Sequence, residues 1–148
     1  MGKPVQKSAP RDYNIPTWGT TFDRVVDKGF AMVDLAQQNC VPCRSGDRPL
    51  PNAEIYRLLP RTPGWRVKEV DRVKRLERVF RFKDFEQGLE FTKEVAELAK
   101  TENHHPRITM EYGTVTLTLW THKVRGLHNN DFIMAAKIDN LSTSYRLY

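Results

Sequence analysis

The stretch ENHHPRITMEYGTVTLTLWTHKVRGLHNNDFIMAAKID, residues 102–139, decides how this chain folds. Apolar and polar residues alternate over 108–112 and again over 115–121. Alternation of period two predicts half-buried strands, and the tight turn at Gly113 predicts that they form an antiparallel hairpin. Apolar residues at helical spacing then predict a helix over 129–141. The stretch therefore predicts a hairpin followed by a helix.

Upstream of this stretch the residues predict a short helix, two strands and a long helix. In order these are Ala53–Leu59 with Asn52 as its cap, Trp65–Val70, Leu76–Phe82, and a helix that begins at Asp84. This order of elements predicts an α+β fold with an antiparallel sheet and helices on one face. The long helix has a broad apolar face from Phe85 to Ala99, so one flank could pack on the sheet and the other on a second subunit.

The composition bounds the class of protein. The 148 residues are 39% hydrophobic and 28% charged, which is typical of a globular domain with some additional chain. Apolar runs are too short to span a bilayer, and the first residues do not resemble a secretory signal. Two cysteines cannot form a disulfide scaffold, so a reducing cytoplasm is the expected location. Because the apolar runs are short, no membrane is expected as a partner.

The net charge of +6 is unevenly distributed. From Arg44 to Lys83 there are 12 Lys or Arg residues and 5 Asp or Glu residues. This basic stretch could attract an acidic protein, an anionic ligand or nucleic acid, or it could be an ordinary solvated face. Basic and aromatic residues are not interleaved there, so nucleic acid is not the expected partner.

The N-terminal third predicts an extension, 1–50, ahead of the domain at 51–142 and a tail at 143–148. Within it we expect a flexible arm over 1–20 and a short amphipathic helix over 21–37. The turn-rich segment 39–51, which predicts a linker with local order, contains Cys40-Val41-Pro42-Cys43. This pair could share zinc between subunits, make a redox contact, or form a structural turn; no second cysteine pair completes a zinc site, so no metal is predicted.

Three of the four histidines should lie close together. His104 and His105 follow the long helix, and His122 ends the hairpin that returns the chain to the same place. Three imidazoles at one spot could perform acid/base chemistry, bind a metal ion, or serve only as capping and surface residues. His128 is assigned to a surface or helix-start position.

The same stretch resembles the pterin-4a-carbinolamine dehydratase family. The family pattern is a polar residue, then His-His-Pro, an aromatic residue, a third histidine and a downstream aspartate. In this chain these positions are Lys100, His104, His105, Pro106, Tyr112, His122 and Asp131. The segments PGW at 63–65 and FRFKDF at 80–85 are similar too.

The resemblance implies a four-stranded antiparallel sheet with helices on one face, assembled into dimers or tetramers. It implies dehydration of 4a-hydroxytetrahydropterin to the quinonoid dihydropterin without a metal or other cofactor. His105 and His122 would transfer the protons, and His104 would hold or polarise the substrate. The residues expected to bind the pterin are Trp65, Trp120 and Asp131. Either tryptophan could equally be an ordinary packing residue.

A second likeness points to a different class of function. LAQQNCVPCR at 35–44 and LWTHKVRGLHNNDFIMAAKI at 119–138 resemble the dehydratase-like Rubisco assembly factors of chloroplasts and α-carboxysomes. That likeness implies a non-catalytic chaperone, associated with the carboxysome, whose partners are Rubisco subunits. Lys100 stands where many dehydratases carry glutamate, and Asn130 where mammalian enzymes carry arginine. Enzyme and chaperone are therefore both carried as predictions, with the enzyme ahead.

Overall fold

Three α-helices and four β-strands follow one another in the predicted order within residues 33–44 and 46–148, the part of the chain that the computed structural model describes. Their bounds are α1 Asn52–Leu58, β1 Arg66–Val70, β2 Val73–Arg81, α2 Phe85–Glu102, β3 Arg107–Glu111, β4 Thr114–Leu119 and α3 Asn129–Ser142. Single turns of 3-10 helix occur at Leu35–Gln37 and Leu59–Arg61. The predicted α+β fold is confirmed.

The four strands form one antiparallel sheet in the order β1-β2-β4-β3. Both hairpins lie in this sheet, and the central pair joins β2 to β4, with Phe80 opposite Val115. One face carries the apolar side chains that alternation predicted, and the buried residues of α2 and α3 cover it. Phe91 of α2 packs on Phe80, with ring centroids 4.8 Å apart. The core therefore lies between the sheet and these two helices.

The turn between β1 and β2 is tighter than predicted. The sequence predicted a charged connection and a second strand that begins at Leu76, but β2 begins at Val73. Asp71 and Arg72 both have positive φ, 52° and 62°, and together make a two-residue hairpin turn. The ladder therefore continues up to the Val70–Val73 pair.

Helix α2 begins as its sequence predicted. The Asp84 carboxylate accepts a hydrogen bond from the Gln87 backbone at 3.0 Å, which satisfies a free donor of the first turn. Its buried face comprises Gly88, Phe91, Val95 and Ala99. Phe85 remains 47% exposed, so the apolar surface of this helix is wider than the sheet covers.

Helix α1 differs from the prediction at its start. Pro51 takes the N-cap position and α1 begins at Asn52 itself, so Asn52 is not its cap. The Asn52 amide oxygen instead accepts a hydrogen bond from Lys74 of β2. A competing side-chain partner therefore ties the start of α1 to the sheet.

The segments on either side of the domain pack against it. Of the predicted helix over 21–37, residues 21–32 lie outside the described residues, and the described remainder contains one 3-10 turn, which Asp34 caps and whose Leu35 is buried. At the other end, Tyr145 packs edge-on against Phe82 at 5.7 Å. The Tyr148 backbone N–H donates to Arg81 at 3.0 Å.

Candidate active site

A pocket of about 530 Å³ opens where the end of α2, the end of β4 and the start of α3 meet. Residues 40–43, 101–105, 120–123 and Asn130 line it. His104, His105 and His122 are all among these residues, so the structure brings the three predicted imidazoles into one pocket. Its size lies within the range of sites for small organic molecules.

The end of α2 fixes the position of His104. Asn103 adopts the left-handed conformation at φ 50°, which asparagine tolerates better than most residues. The His104 backbone N–H then returns to the Ala99 carbonyl at 3.1 Å, the bond that closes the last turn of the helix. Helix α2 therefore ends at Glu102, and His104, two residues later, lines the pocket.

A fully buried carboxylate orients the His104 imidazole. Asp131 Oδ1 lies 2.7 Å from His104 Nε2, while Asp131 Oδ2 accepts from Thr121 Oγ1 at 2.9 Å and from the His128 backbone at 2.8 Å. Because a carboxylate only accepts hydrogen bonds, the proton of this contact belongs on Nε2 of His104. This leaves Nδ1 as the second ring nitrogen available for chemistry.

The other two histidines are more open to solvent. His105 and His122 are both exposed, and the His122 ring lies 4.6 Å from the ring of Trp120. Two guanidinium groups lie over the Trp120 ring, Arg75 at 4.3 Å and Arg107 at 5.2 Å from its centroid. These cation–π contacts hold Trp120 in place, and Trp120 in turn supports His122.

One wall of the pocket comes from the extension. The Asn130 amide pairs with the Val41 backbone in both directions: Val41 N donates to Oδ1 at 3.1 Å, and Nδ2 donates to the Val41 carbonyl at 2.7 Å. The Cys40 backbone N–H donates to Glu102 Oε2 at 2.8 Å. Glu102 also forms an ion pair with Lys137 at 2.8 Å. Residues 40–43 are therefore part of the site and not a free linker.

The surroundings of Cys40 make its thiol unreactive. Burial, followed by the negative charge of Glu102, raises the pKa of Cys40 to about 12. Burial pushes the pKa of Glu102 upward, but the hydrogen bond from Cys40 and the Lys137 ammonium outweigh it and lower that pKa. Because the thiolate is the reactive form, this environment does not favour a redox role for Cys40.

Two of the predicted substrate-binding residues lie away from the pocket surface. Trp65 is buried in the core, where its Nε1 donates to Asp139 at 2.7 Å, and it does not line the pocket. Asp131 is fully buried beneath His104 and acts through that imidazole. Trp120 does line the pocket. The exposed Lys100 is not one of the lining residues, whereas Lys123 is.

His128 caps α3, as its sequence position indicated. Its Nδ1 accepts from the Asn130 backbone N–H at 3.3 Å, and the Asp131 carboxylate accepts from the His128 backbone N–H at 2.8 Å. The same aspartate thus closes the helix cap and orients His104. Sequence reasoning missed Asn130 as a contact of Val41, because 89 residues separate the two and no local pattern joins them.

The fold and the pocket together define a class of protein, an α+β domain in which a histidine pair after the long helix shares a pocket with a histidine from the hairpin. The chain belongs to the pterin 4 alpha carbinolamine dehydratase family, whose model matches residues 48–141. In the described part of the chain no helix has the length and apolar character needed to cross a membrane.

Two relatives show how far the similarity extends. Proteins of Nitrosococcus oceani and Saccharophagus degradans are 48% and 47% identical over 110 residues, which cover 74% of this chain and 97% of each relative. Both are named pterin-4-alpha-carbinolamine dehydratase as a provisional assignment. Wherever a run of 110 residues lies within a chain of 148, it includes residues 39–110, so the match includes the 40–43 segment.

Two solved structures are also similar. A transcriptional coactivator/pterin dehydratase from Brucella melitensis has a TM-score of 0.58 and 32% identity, covering 64% of this chain and 98% of that one. A pterin dehydratase-like protein, described as a RuBisCO assembly factor in the α-carboxysome, has a TM-score of 0.46 and 24% identity, covering 53% and 89%. The second likeness is too low to carry an argument about function.

Proposed function

We propose that this protein dehydrates 4a-hydroxytetrahydropterin to the quinonoid dihydropterin, with His104, His105 and His122 as its catalytic residues. The observation that carries this proposal is the convergence of these three imidazoles on one pocket of about 530 Å³. Family membership supplies the substrate class, and provisional names of relatives that are nearly half identical point the same way.

The chemistry is balanced with imidazoles alone. One protonated imidazole gives its proton to the departing 4a-hydroxyl, which leaves as water when the C–O bond breaks. A neutral imidazole accepts the proton of the neighbouring ring nitrogen, whose electron pair forms the new C=N bond. No net proton is consumed, and no oxidant or reductant is needed. We assign these two roles to His105 and His122, the solvent-exposed members of the set.

His104 has a different part in this proposal. Its Nε2 is fixed by the buried Asp131, so the ring cannot rotate freely between substrate and solvent. An imidazole whose orientation is fixed suits a role in binding or polarising the substrate, because the group is already oriented when the substrate binds. Trp120 offers an aromatic surface in the pocket wall for the flat pterin ring.

The test is the dehydration rate of the purified protein beside a His105→Ala/His122→Ala double variant. General acid and base groups each contribute about 10²–10⁴-fold, so we expect the rate of the double variant to fall by at least that factor. Tyr56→Ala is the surface control, because this side chain is 68% exposed on α1 and does not line the pocket. A wild-type rate equal to the uncatalysed rate would refute the proposal.

The assembly-factor function stays a prediction, and a specific experiment separates it from the enzyme. The 40–43 segment, one reason for suggesting it, lies within the length of chain that matches relatives named as dehydratases. A pull-down with Rubisco subunits tests the chaperone directly. Self-association, carboxysome association and a cytoplasmic location also stay predictions; the exposed Phe85 and Leu89 on α2 offer an apolar surface for a second subunit.

A further inference from the structure

Three side chains with different metal-binding atoms meet beside the pocket. The Cys43 thiol, the Asp47 carboxylate and the His128 imidazole each bring a ligand atom, and these atoms all lie within 4.8 Å of one another. Each of the three residues is half-buried. They also border a second recess of about 540 Å³, whose other lining residues are Val41, Pro42 and Arg44.

Local structure holds the three residues together. The Arg44 backbone N–H donates to Asp47 Oδ2 at 2.6 Å, and the Asp47 N–H donates to the Arg44 carbonyl at 3.3 Å, so the loop forms a turn beside Cys43. Asn130 fixes the chain at Val41, two residues before Cys43. Because His128 directly precedes α3 as its cap, the extension and the domain each supply part of the cluster.

The set of donors suits one kind of metal ion. Sulfur, imidazole nitrogen and carboxylate oxygen are the three ligand types that zinc accepts, at about 2.3, 2.0 and 2.0–2.2 Å. Tetrahedral bonds of these lengths place the ligand atoms roughly 3.3–3.6 Å apart. The ligand atoms now lie within 4.8 Å of one another, so zinc binding requires them to approach one another by about 1 Å. Calcium and magnesium prefer all-oxygen sites and do not fit a thiol.

We propose that Cys43, Asp47 and His128 bind a zinc ion that fixes the loop of the extension to the start of α3. Three protein ligands leave the fourth position to water, for which the recess has room. Zinc deprotonates a coordinating thiol outright, so Cys43 binds as thiolate. Arg44 is exposed, and its side chain can extend into solvent away from the cation.

When His128 binds the metal, it loses the hydrogen bond by which its side chain caps α3. At present Nδ1 accepts a hydrogen bond of 3.3 Å from Asn130, the longest hydrogen bond that this cap makes. Binding through Nδ1 uses that lone pair, and binding through Nε2 moves the ring proton to Nδ1, so either mode releases the bond. The reciprocal bond from the His128 backbone to Asp131 remains, and α3 keeps one of its two cap contacts.

The metal would act on the pocket by position only. Residues 41–43 line both the zinc recess and the histidine pocket, so fixing Cys43 also fixes one wall of the pocket. No step of the proposed dehydration passes through the ion. The inference is therefore independent of whether the protein is a dehydratase.

The test is zinc binding by untagged full-length protein. The protein is stripped with a chelator, kept reduced with a phosphine, given one equivalent of Zn²⁺, desalted and analysed for metal. We expect about one zinc per chain, and with Co²⁺ a thiolate-to-cobalt charge-transfer band. Cys43→Ser should weaken binding at least tenfold, as should His128→Asn, which retains a residue able to cap α3.

The second cysteine provides a matched control. Cys40 belongs to the same motif but is not part of the cluster; its thiol contacts the Asn130 carbonyl at 3.7 Å. Cys40→Ser should therefore bind zinc like the wild type. Wild-type protein that retains less than about a tenth of an equivalent would overturn the proposal. So would equal loss of zinc in Cys40→Ser and Cys43→Ser, since this would indicate unspecific binding by thiols.

Discussion

Replacing Asp131 by asparagine should invert the proton arrangement on His104 while leaving the fold intact. Asp131 accepts three hydrogen bonds, from His104, Thr121 and the His128 backbone. The asparagine oxygen can serve the last two, so its NH₂ group must face His104 Nε2. Nε2 must then accept, and the ring proton moves to Nδ1, the nitrogen available to a ligand.

The magnitudes follow from the loss of one buried charge. A hydrogen bond to a charged group contributes about 1.5–3 kcal/mol and one between neutral groups about 0.5–1.5 kcal/mol. Over three bonds the loss in unfolding free energy is about 3 kcal/mol, which urea denaturation measures. Dehydration should slow by roughly tenfold to a hundredfold, because His104 in the wrong tautomer loses the hydrogen bond with which it would hold the substrate, worth about 1–3 kcal/mol.

Thr121→Val separates the two effects. It removes one of the three bonds to Asp131 and costs about 2 kcal/mol, but it leaves the contact between Asp131 and His104 unchanged. Nitrogen chemical shifts of the His104 ring report its tautomer directly and do not depend on activity. The reasoning would be refuted if Asp131→Asn left the tautomer as in the wild type, or if Thr121→Val slowed dehydration as much as Asp131→Asn.

Three further predictions concern the wall formed by residues 40–43. The native pKa of Glu102 is lowered, so the stabilisation it contributes is full above its unfolded-state pKa and is lost as the pH falls through the lowered value. The unfolding free energies of Glu102→Gln and wild type should therefore differ at pH 7, and the difference should shrink as the pH falls through the lowered pKa; a difference that stays constant with pH would contradict this. Asn130→Ala should raise hydrogen exchange at Val41 and weaken substrate binding more than it slows turnover; unchanged exchange would count against the role of the Asn130 pair. At pH 8, iodoacetamide should alkylate Cys40 about a thousandfold more slowly in the native protein than in the unfolded protein, because a rise in pKa from 9.0 to about 12 depletes the thiolate. Mass spectrometry measures both alkylation rates, and equal rates would contradict the protected environment of this thiol.

The sequence predicted those parts of the fold whose signals are local. Alternation over 108–112 and 115–121 predicted β3 and β4, and Asp84 with Gln87 marked the start of α2. The proximity of the three histidines followed from the hairpin, because a hairpin returns the chain to its starting end. These features depend on neighbours within a few residues of one another.

The remaining features depend on contacts between distant parts of the chain. Nothing near Asn130 indicates that it pairs with Val41, so the sequence predicted a linker over 39–51. The sequence does not distinguish a tryptophan that packs in the core from one that lines a pocket, and only the structure showed that Trp65 is buried and that Trp120 lines the pocket. Asp131 was recognised from a family pattern, but its burial beneath His104 required the structure.

The contact between the Trp120 and His122 rings gives the pocket an optical signal of its own. Indole emission is quenched when a protonated imidazole lies against the ring, and here the two centroids are 4.6 Å apart. Trp65 is enclosed in the core with Asp139 as its partner and does not line the pocket. Replacing both Trp18 and Trp65 by phenylalanine leaves Trp120 as the single indole of the chain. The fluorescence of that variant would therefore report on the surroundings of Trp120 in the pocket, without any substrate present.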